Sequence, residues 1–329
     1  MNTRFHTDLL ATLGRPLDLG EQLGVAVSGG PDSLALLLLA QAAFSGQVVA
    51  VTVDHGLRPE AAGEAAMVAG VAASLGLHHA ILRPGPAEPP RPGATSIQQW
   101  ARQLRYRLIE DWARGRGIGL LLTAHHLDDQ AETFLMRANR GAGVAGLSAI
   151  RPSRGWATAE DGETGHWLRP LLGWRRTELV ALVRQAGLTP VDDPANRDDR
   201  HDRTHVRRLL AATPALSPPR LARAAANLAE AEAALDWMVE RLWTDRATVE
   251  ASEERGVRVV LDPADLPREL RRRLLLRGFD GLGVALPRLD KLDRLLALLD
   301  AGRRATLAGV MVTPGVRWRM EAAPPRNHA

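Results

Sequence analysis

The run VAVSGGPDSLALLLLA, Val25 to Ala40, carries a short apolar segment into a Ser-Gly-Gly-Pro-Asp-Ser turn and out into a helix-forming stretch. Gly29 and Gly30 let the backbone turn tightly and approach a ligand with no Cβ in the way, and Pro31 suits the first position of a helix. Amides at such a helix start, with the Ser28 and Ser33 hydroxyls, form a cradle for an anion. The lysine of a G-x-x-x-x-G-K-S/T loop is missing, because Lys291 is the only lysine in the chain. Asp32 stands in the turn instead, and a carboxylate beside phosphates suits a site that also holds Mg2+. Asp32 and Ser33 would equally serve as plain capping residues of the helix.

Four further stretches hold reactive side chains. In AHHLDDQAET (124–133), His125 and His126 precede Asp129 and Glu132, which are three apart and share a helix face. The acidic pair could hold a cation or simply complement the helix dipole, and the His-His-x-Asp-Asp grouping leaves a metal site open. VDHGLR (53–58) offers Asp54, His55 and Arg58 at the end of an apolar run; ARQLRY (101–106) offers Arg102, Arg105 and the only tyrosine, Tyr106. Taken alone, each of these two reads as a solvated face or loop. In DDPANRDDRHDRTHVRR (192–208), Arg203 and Arg207 are four apart and line one helical face, where a guanidinium pair could grip phosphate.

Elements that would position these residues alternate between apolar runs and helical patterns. Strands are expected at 23–27, 48–53, 78–83 and 118–124, with helices at about 33–44, 60–75, 96–115 and 128–139 between them. This alternation implies an α/β fold, a parallel sheet with helices on both faces, whose ligands bind beyond the carboxyl ends of the strands. The stretch 83–93 reads as a Pro-rich surface loop and 153–165 as a polar insertion between strands. Prolines near 213–220 suggest a linker, placing a catalytic domain over 1–214 and a smaller, mainly helical C-terminal domain over 215–329. The latter starts with a long amphipathic helix marked by Leu221, Leu228, Leu235, Met238 and Leu242, then a strand near 256–261, two helices and a strand-like tail near 305–319.

Composition narrows the chemistry. Among 329 residues, 45% are apolar and 24% charged, as in ordinary globular proteins, and there is no cysteine, which excludes disulfides, thiolate metal sites and thiol nucleophiles. No apolar run is long enough to cross a bilayer and the first residues lack a signal-peptide core, so a cytoplasmic protein with no membrane partner is expected. The net charge of +4 is weak as a sign of nucleic acid, but ten basic residues against five acidic ones between Arg268 and Arg304 make a local basic excess. That excess reads as a surface for a nucleic-acid backbone or as a solvated helix face.

In order, SGGPDS, VDHGLR, ARQLRY, AHHLDDQAET, RGAGVAGL (140–147), RPLL (169–172) and the 192–208 run resemble the tRNA(Ile)-lysidine synthetase family of N-type ATP pyrophosphatases, the PP-loop superfamily. The resemblance covers about residues 20–210. It implies ATP with Mg2+ as cofactors, and L-lysine and a CAU-anticodon tRNA(Ile) as partners. It implies carbon–nitrogen ligation at C2 of the wobble cytidine through an adenylated intermediate, with AMP and pyrophosphate released. Ser28, Gly29, Gly30, Pro31, Asp32 and Ser33 match the family's ATP loop, with Asp32 the expected Mg2+ ligand. Asp32, Asp129, Glu132 and Arg203 are the expected catalytic residues. Asp54, His55, Arg105, His125, His126 and Arg207 are expected to contact substrate, and a homodimer is left open. Ala195 and Thr204 depart from the residues usual in the family. A non-catalytic ATP sensor, or another PP-loop enzyme forming an amide or amidine, is the alternative; thiolating relatives need cysteines that this chain lacks.

Overall fold

The computed structural model describes residues 1–57, 59–85, 97–158, 164–191, 202–252 and 256–324, apart from the Gln98 side chain. Arg58, most of the Pro-rich stretch, Ala195 and its neighbour Asn196 lie outside the described residues. The chain divides into two compact units, Met1–Ala229 and Glu230–Ala329.

The first unit runs α1 (Asn2–Leu13), β1 (Leu23–Ala26), α2 (Pro31–Ala43), β2 (Val48–Val53), α3 (Glu60–Ser74), β3 (His78–Leu82) and α4 (Ile97–Arg114). It continues with β4 (Leu120–Leu122), α5 (Leu127–Asn139), α6 (Val144–Leu147), β5 (Ser153–Ala157), β6 (Thr164–Leu168), α7 (Arg176–Gln185) and α8 (Asp202–Ala212). Helix α9 (Pro218–Arg246) carries the division between the units. The prolines expected as a linker therefore include the first residues of this helix, where a missing N–H and a fixed φ fit the start of a helix.

The sheet has the order β3-β2-β1-β4-β6-β5, parallel except for the β5–β6 pair. The central strands β1, β2 and β4 are almost wholly apolar because both faces are covered. Leu23, Val25, Val48, Ala50, Leu120 and Leu122 pack on one side with α1, α2, α3 and α7. Val49, Val51 and Leu121 pack on the other side with Ile109 and Ala113 of α4. Gly24 makes the second contact close: a Cβ there would stand 2.7 Å from Leu121 and 3.2 Å from Trp112. The strand order reverses at β1, between β2 and β4, so a crevice opens beyond the carboxyl ends of β1 and β4.

The segment 153–165, expected as an insertion, contributes strand β5, which pairs antiparallel with β6 from Ser153↔Leu168 to Ala157↔Thr164. As an edge strand it buries only Trp156, so it lacks an apolar run to announce it.

The second unit holds the end of α9, β7 (Ala247–Ser252), β8 (Gly256–Leu261), α10 (Arg268–Gly281), α11 (Leu289–Asp300), β9 (Ala305–Leu307), β10 (Val310–Thr313) and β11 (Trp318–Ala322). Its helices pack Leu274, Leu275, Phe279, Leu292, Leu296 and Leu299 against an antiparallel sheet of order β7-β8-β11-β10-β9. The expected helices are present, and the expected tail resolves into three strands.

Much of this unit's basic excess is neutralised within it. Arg268 and Arg272 pair with Asp293, Arg271 with Asp300, and Arg277 with Glu240 and Asp280. Arg273 reaches Glu232 at 2.6 Å, Asp236 at 2.9 Å and Glu269 at 2.9 Å. Arg288, Lys291, Arg294, Arg303 and Arg304 have no ion pair among the described residues. A contact with a polyanion is therefore better carried by α11 and the turn after it than by Arg271 and Arg272.

Glu232 is only 5% exposed, so Arg273→Ala should remove the guanidinium paired with a buried carboxylate and cost about 3–5 kcal/mol. The double variant Glu232→Leu/Arg273→Met should recover most of that loss. Urea unfolding checks both; a fully stable Arg273→Ala would show that the network contributes nothing.

Candidate active site

The site grows from two adjacent strand ends. After β1, Gly29 adopts φ +83°, and a Cβ there would lie 2.9 Å from Val191 and 3.2 Å from Met67. The position therefore requires glycine for both conformation and space. Ser33 Oγ clasps the turn: it donates to the Gly30 carbonyl (3.0 Å), accepts from the Ser28 amide (3.1 Å) and lies 3.2 Å from Ser28 Oγ. Its single proton and both lone-pair directions are thus committed to the loop. Gly30 caps α2 without a side-chain bond and Pro31 fills the first helical position. The helix-start amides of Asp32 and Ser33 remain the loop's donors for an anion.

After β4, His126 opens α5 with a reciprocal cap: its amide donates to Asp129 Oδ2 at 3.0 Å, and the Asp129 amide donates to His126 Nδ1 at 3.4 Å. His126 Nε2 then faces Asp129 Oδ2 at 3.5 Å and Asp32 Oδ2 at 3.7 Å, tying the two strand ends together. Burial opposes a charge on this ring, but a hydrogen bond toward Asp32 and the charges of Asp129, Asp32 and Asp128 hold it above its ordinary value. Asp128 turns the other way, accepting from the Arg176 amide at 2.8 Å and pairing with Arg175 at 3.2 Å.

Asp129 and Glu132 are 8% and 2% exposed. Arg203 of α8 bridges them, at 2.5 Å to Asp129 Oδ1 and 2.6 Å to Glu132 Oε2, and Arg207 adds 2.8 Å to Glu132 Oε1. The two arginines expected to grip phosphate thus hold the two carboxylates expected to hold a cation.

The Asp32 Oδ1 atom is buried without a hydrogen-bond partner, as is Arg176 Nε, 3.8 Å away. A carboxylate oxygen in that state suits a cation, and no group of three or more metal-ligating side chains occurs among the described residues. Such a lone carboxylate oxygen fits Mg2+, which commonly uses one or two carboxylates and takes its other ligands from phosphates and water.

Residues 1–213 match the PP-loop domain family. The chain is 48% identical over 325 residues to the tRNA(Ile)-lysidine synthase of Novosphingobium aromaticivorans, covering 98% of this chain and 94% of that protein. It is 42% identical over 326 residues to the enzyme of the same name from Zymomonas mobilis, covering 99% and 95%. The chain belongs to the tRNA(Ile)-lysidine synthase family. Among solved structures, the U34-tRNA thiolase of Methanococcus maripaludis superposes with a TM-score of 0.56 at 17% identity, over 69% of this chain and 78% of that one, which is a likeness of fold.

Within this family member, a cavity of about 560 Å3 gathers Ser28, Gly30–Ser33, His55, Arg105, His125, Asp129, Arg203 and Arg207. Glu132 lines a neighbouring cavity of about 900 Å3 instead, with Arg175, Arg176 and Arg184; Arg176 and Arg207 border both. Asp54 lines neither: it is buried, accepting from the Gly56 amide and from Arg83, both at 3.0 Å. His126, too, sits behind the wall, as the cap described above.

Arg176 was not singled out from the motifs. Its signal was a cation in the first turn of a helix, where the dipole disfavours positive charge. Arg169, 7% exposed at the end of β6, also escaped notice as an individual residue.

Two histidines are held neutral. Burial, then Arg105, pushes His55 down to about 4 against the pull of Asp54. Burial, then Arg169, Arg102 and Arg203, pushes His125 to about 4 despite Asp129. Unfolding must therefore take up protons between about pH 4 and 6.5, so their contribution to stability falls as pH drops through that window. His126 has the opposite sign, since its raised value favours the fold at lower pH. Replacing both His55 and His125 by asparagine should flatten the decline of the urea midpoint between pH 6.5 and 4.5; an unaltered decline would locate the acid sensitivity elsewhere.

Proposed function

We propose that the protein ligates L-lysine to the wobble cytidine of a CAU-anticodon tRNA(Ile), using ATP. The observation that carries this reading is 42–48% identity over nearly the full length to enzymes of that name, combined with a cavity that gathers the loop, Asp129 and the arginines. A cytosine carbonyl carbon is a poor electrophile, and transfer of AMP to its oxygen turns that oxygen into a leaving group. The amides of Asp32 and Ser33 would suit the pyrophosphate, leaving the α-phosphorus open to the cytidine oxygen. Asp32 would hold Mg2+, which when bound neutralises phosphate charge. Catalysis of this step comes from positioning and electrostatics.

Lysine presents an ammonium, ionising near ~10.4 when unperturbed, and must lose a proton before attack. Asp129 and Glu132 are the buried carboxylates suited to hold that ammonium and to accept its proton as the amine attacks. In the free protein their partners are Arg203 and Arg207. We infer an exchange: the arginines turn to the phosphates of bound ATP, and the carboxylates they release take the lysine. The cations of α11 and the following turn, without an ion pair among the described residues, would suit contact with tRNA phosphates.

Mass spectrometry of the anticodon-loop fragment after incubation with ATP and lysine should show the mass of lysidine. AMP release without lysine incorporation in every condition would favour a different acceptor. Asp32→Asn should lower AMP formation by on the order of 100-fold or more with the unfolding midpoint nearly unchanged. Near-normal turnover would leave Asp32 as a helix-capping residue only. Glu132→Gln should impair lysine transfer more than ATP binding, so that adenylated tRNA accumulates or hydrolyses. Wild-type lysine kinetics in this variant would remove Glu132 from the chemistry.

A further inference from the structure

The cavity that holds the nucleotide loop also carries a second concentration of hydrogen-bond donors. Tyr106 and Arg102 of α4 line it, and Arg169 lies behind them at the end of β6. Arg102 Nη2 donates to the Tyr106 hydroxyl oxygen at 3.2 Å. A guanidinium can only donate, so in that bond the phenol oxygen accepts and its own proton is left to donate. No acceptor for that proton occurs among the described residues.

The nearby carboxylate does not neutralise this cluster. Glu110 is taken by Trp167 Nε1 and by Arg154, both at 2.7 Å. Arg102 is exposed and has no ion pair among the described residues. Arg169 is 7% exposed, its Nη1 donates to the Arg151 carbonyl at 2.6 Å, and its Nε has no partner. A buried guanidinium without a carboxylate is costly unless an anion meets its field. Trp167 packs edge-on against Tyr106, with centroids 4.9 Å apart, and fixes the ring that aims the hydroxyl.

We propose that Arg102 and Tyr106, backed by Arg169, receive a phosphodiester of the RNA strand that carries the target base. This rests on the tRNA-modifying activity proposed above. The nucleotide's phosphates have their own cradle at the start of α2, after β1, whereas Arg102 and Tyr106 stand on α4 and Arg169 follows β6, which lies beyond β4 in the sheet. Arg102 is exposed, as a contact to a passing polymer backbone requires, while Tyr106 supplies a donor of fixed direction. Phosphate contacts of this kind set the register of the strand and carry no base information themselves.

The test uses the full-length protein and an unmodified CAU-anticodon tRNA(Ile) transcript, with binding read by fluorescence anisotropy across a salt series. Arg102→Gln should raise the Kd for tRNA about tenfold and lower the slope of log K against log salt by about one. Tyr106→Phe keeps the ring against Trp167 and should weaken binding about threefold with the slope unchanged. ATP affinity and the KM for lysine should stay at wild-type values in both variants. Unchanged tRNA affinity and slope in both variants would overturn the assignment. A loss confined to ATP affinity would give the cluster to the nucleotide, and a rise confined to the lysine KM would give it to the amino acid's carboxylate; either overturns it. Failure of the wild-type protein itself to bind the transcript would overturn the underlying activity as well, which separates the two claims.

Discussion

Two carboxylates buried at the first turns of α5 set the terms for the whole catalytic unit. Asp129 and Glu132 lie three residues apart, almost out of contact with water, beside the ends of two strands. Ionised groups in that position need cations, since removing the partner of a buried charge is far more damaging than never having buried the pair. Arg203 and Arg207, four apart on α8, meet that need across more than 70 residues of sequence. The contact draws α8 over the site and leaves the guanidinium groups bordering the cavity that contains the glycine turn.

The surrounding fold makes this arrangement rigid. Apolar layers on both faces of the sheet hold β1 and β4 side by side, and His126 joins their ends by capping α5 while facing Asp32. Asp128 uses the same turn to cap α7, which brings Arg176 against Asp32. Adjacent acidic residues thus divide their labour: one supports a neighbouring helix and the other faces the site. The nucleotide loop is equally committed, with Ser33 closing the turn and the backbone amides left for an anion.

The sheet was legible because β1, β2 and β4 are short, almost wholly apolar runs between helical patterns, as strands covered on both faces must be; the edge strand β3, with two histidines, was the weaker signal. The glycine turn and the acidic pair were legible because their residue types are costly to place without a ligand or a cap. The β5–β6 hairpin was not, since an edge strand with one buried side chain has no periodic signature. Nor were the partners of the charges. Arg203 and Arg207 read as phosphate ligands from helical spacing alone, and only tertiary packing placed Glu132 between them. In the C-terminal unit the same effect ran the other way: a stretch that counts as basic along the chain folds into ion pairs at Asp293, Asp300 and Glu232.

If the arginines must leave the carboxylates before lysine can bind, the affinities for lysine and nucleotide are coupled, and by the same factor in each direction. Calorimetric titration of L-lysine into the free protein, and into protein saturated with a non-hydrolysable ATP analogue and Mg2+, measures that coupling directly. The proposed exchange predicts lysine binding at least about tenfold tighter with the analogue present, a coupling of about 1.4 kcal/mol. Equal lysine affinity in the two titrations would contradict it.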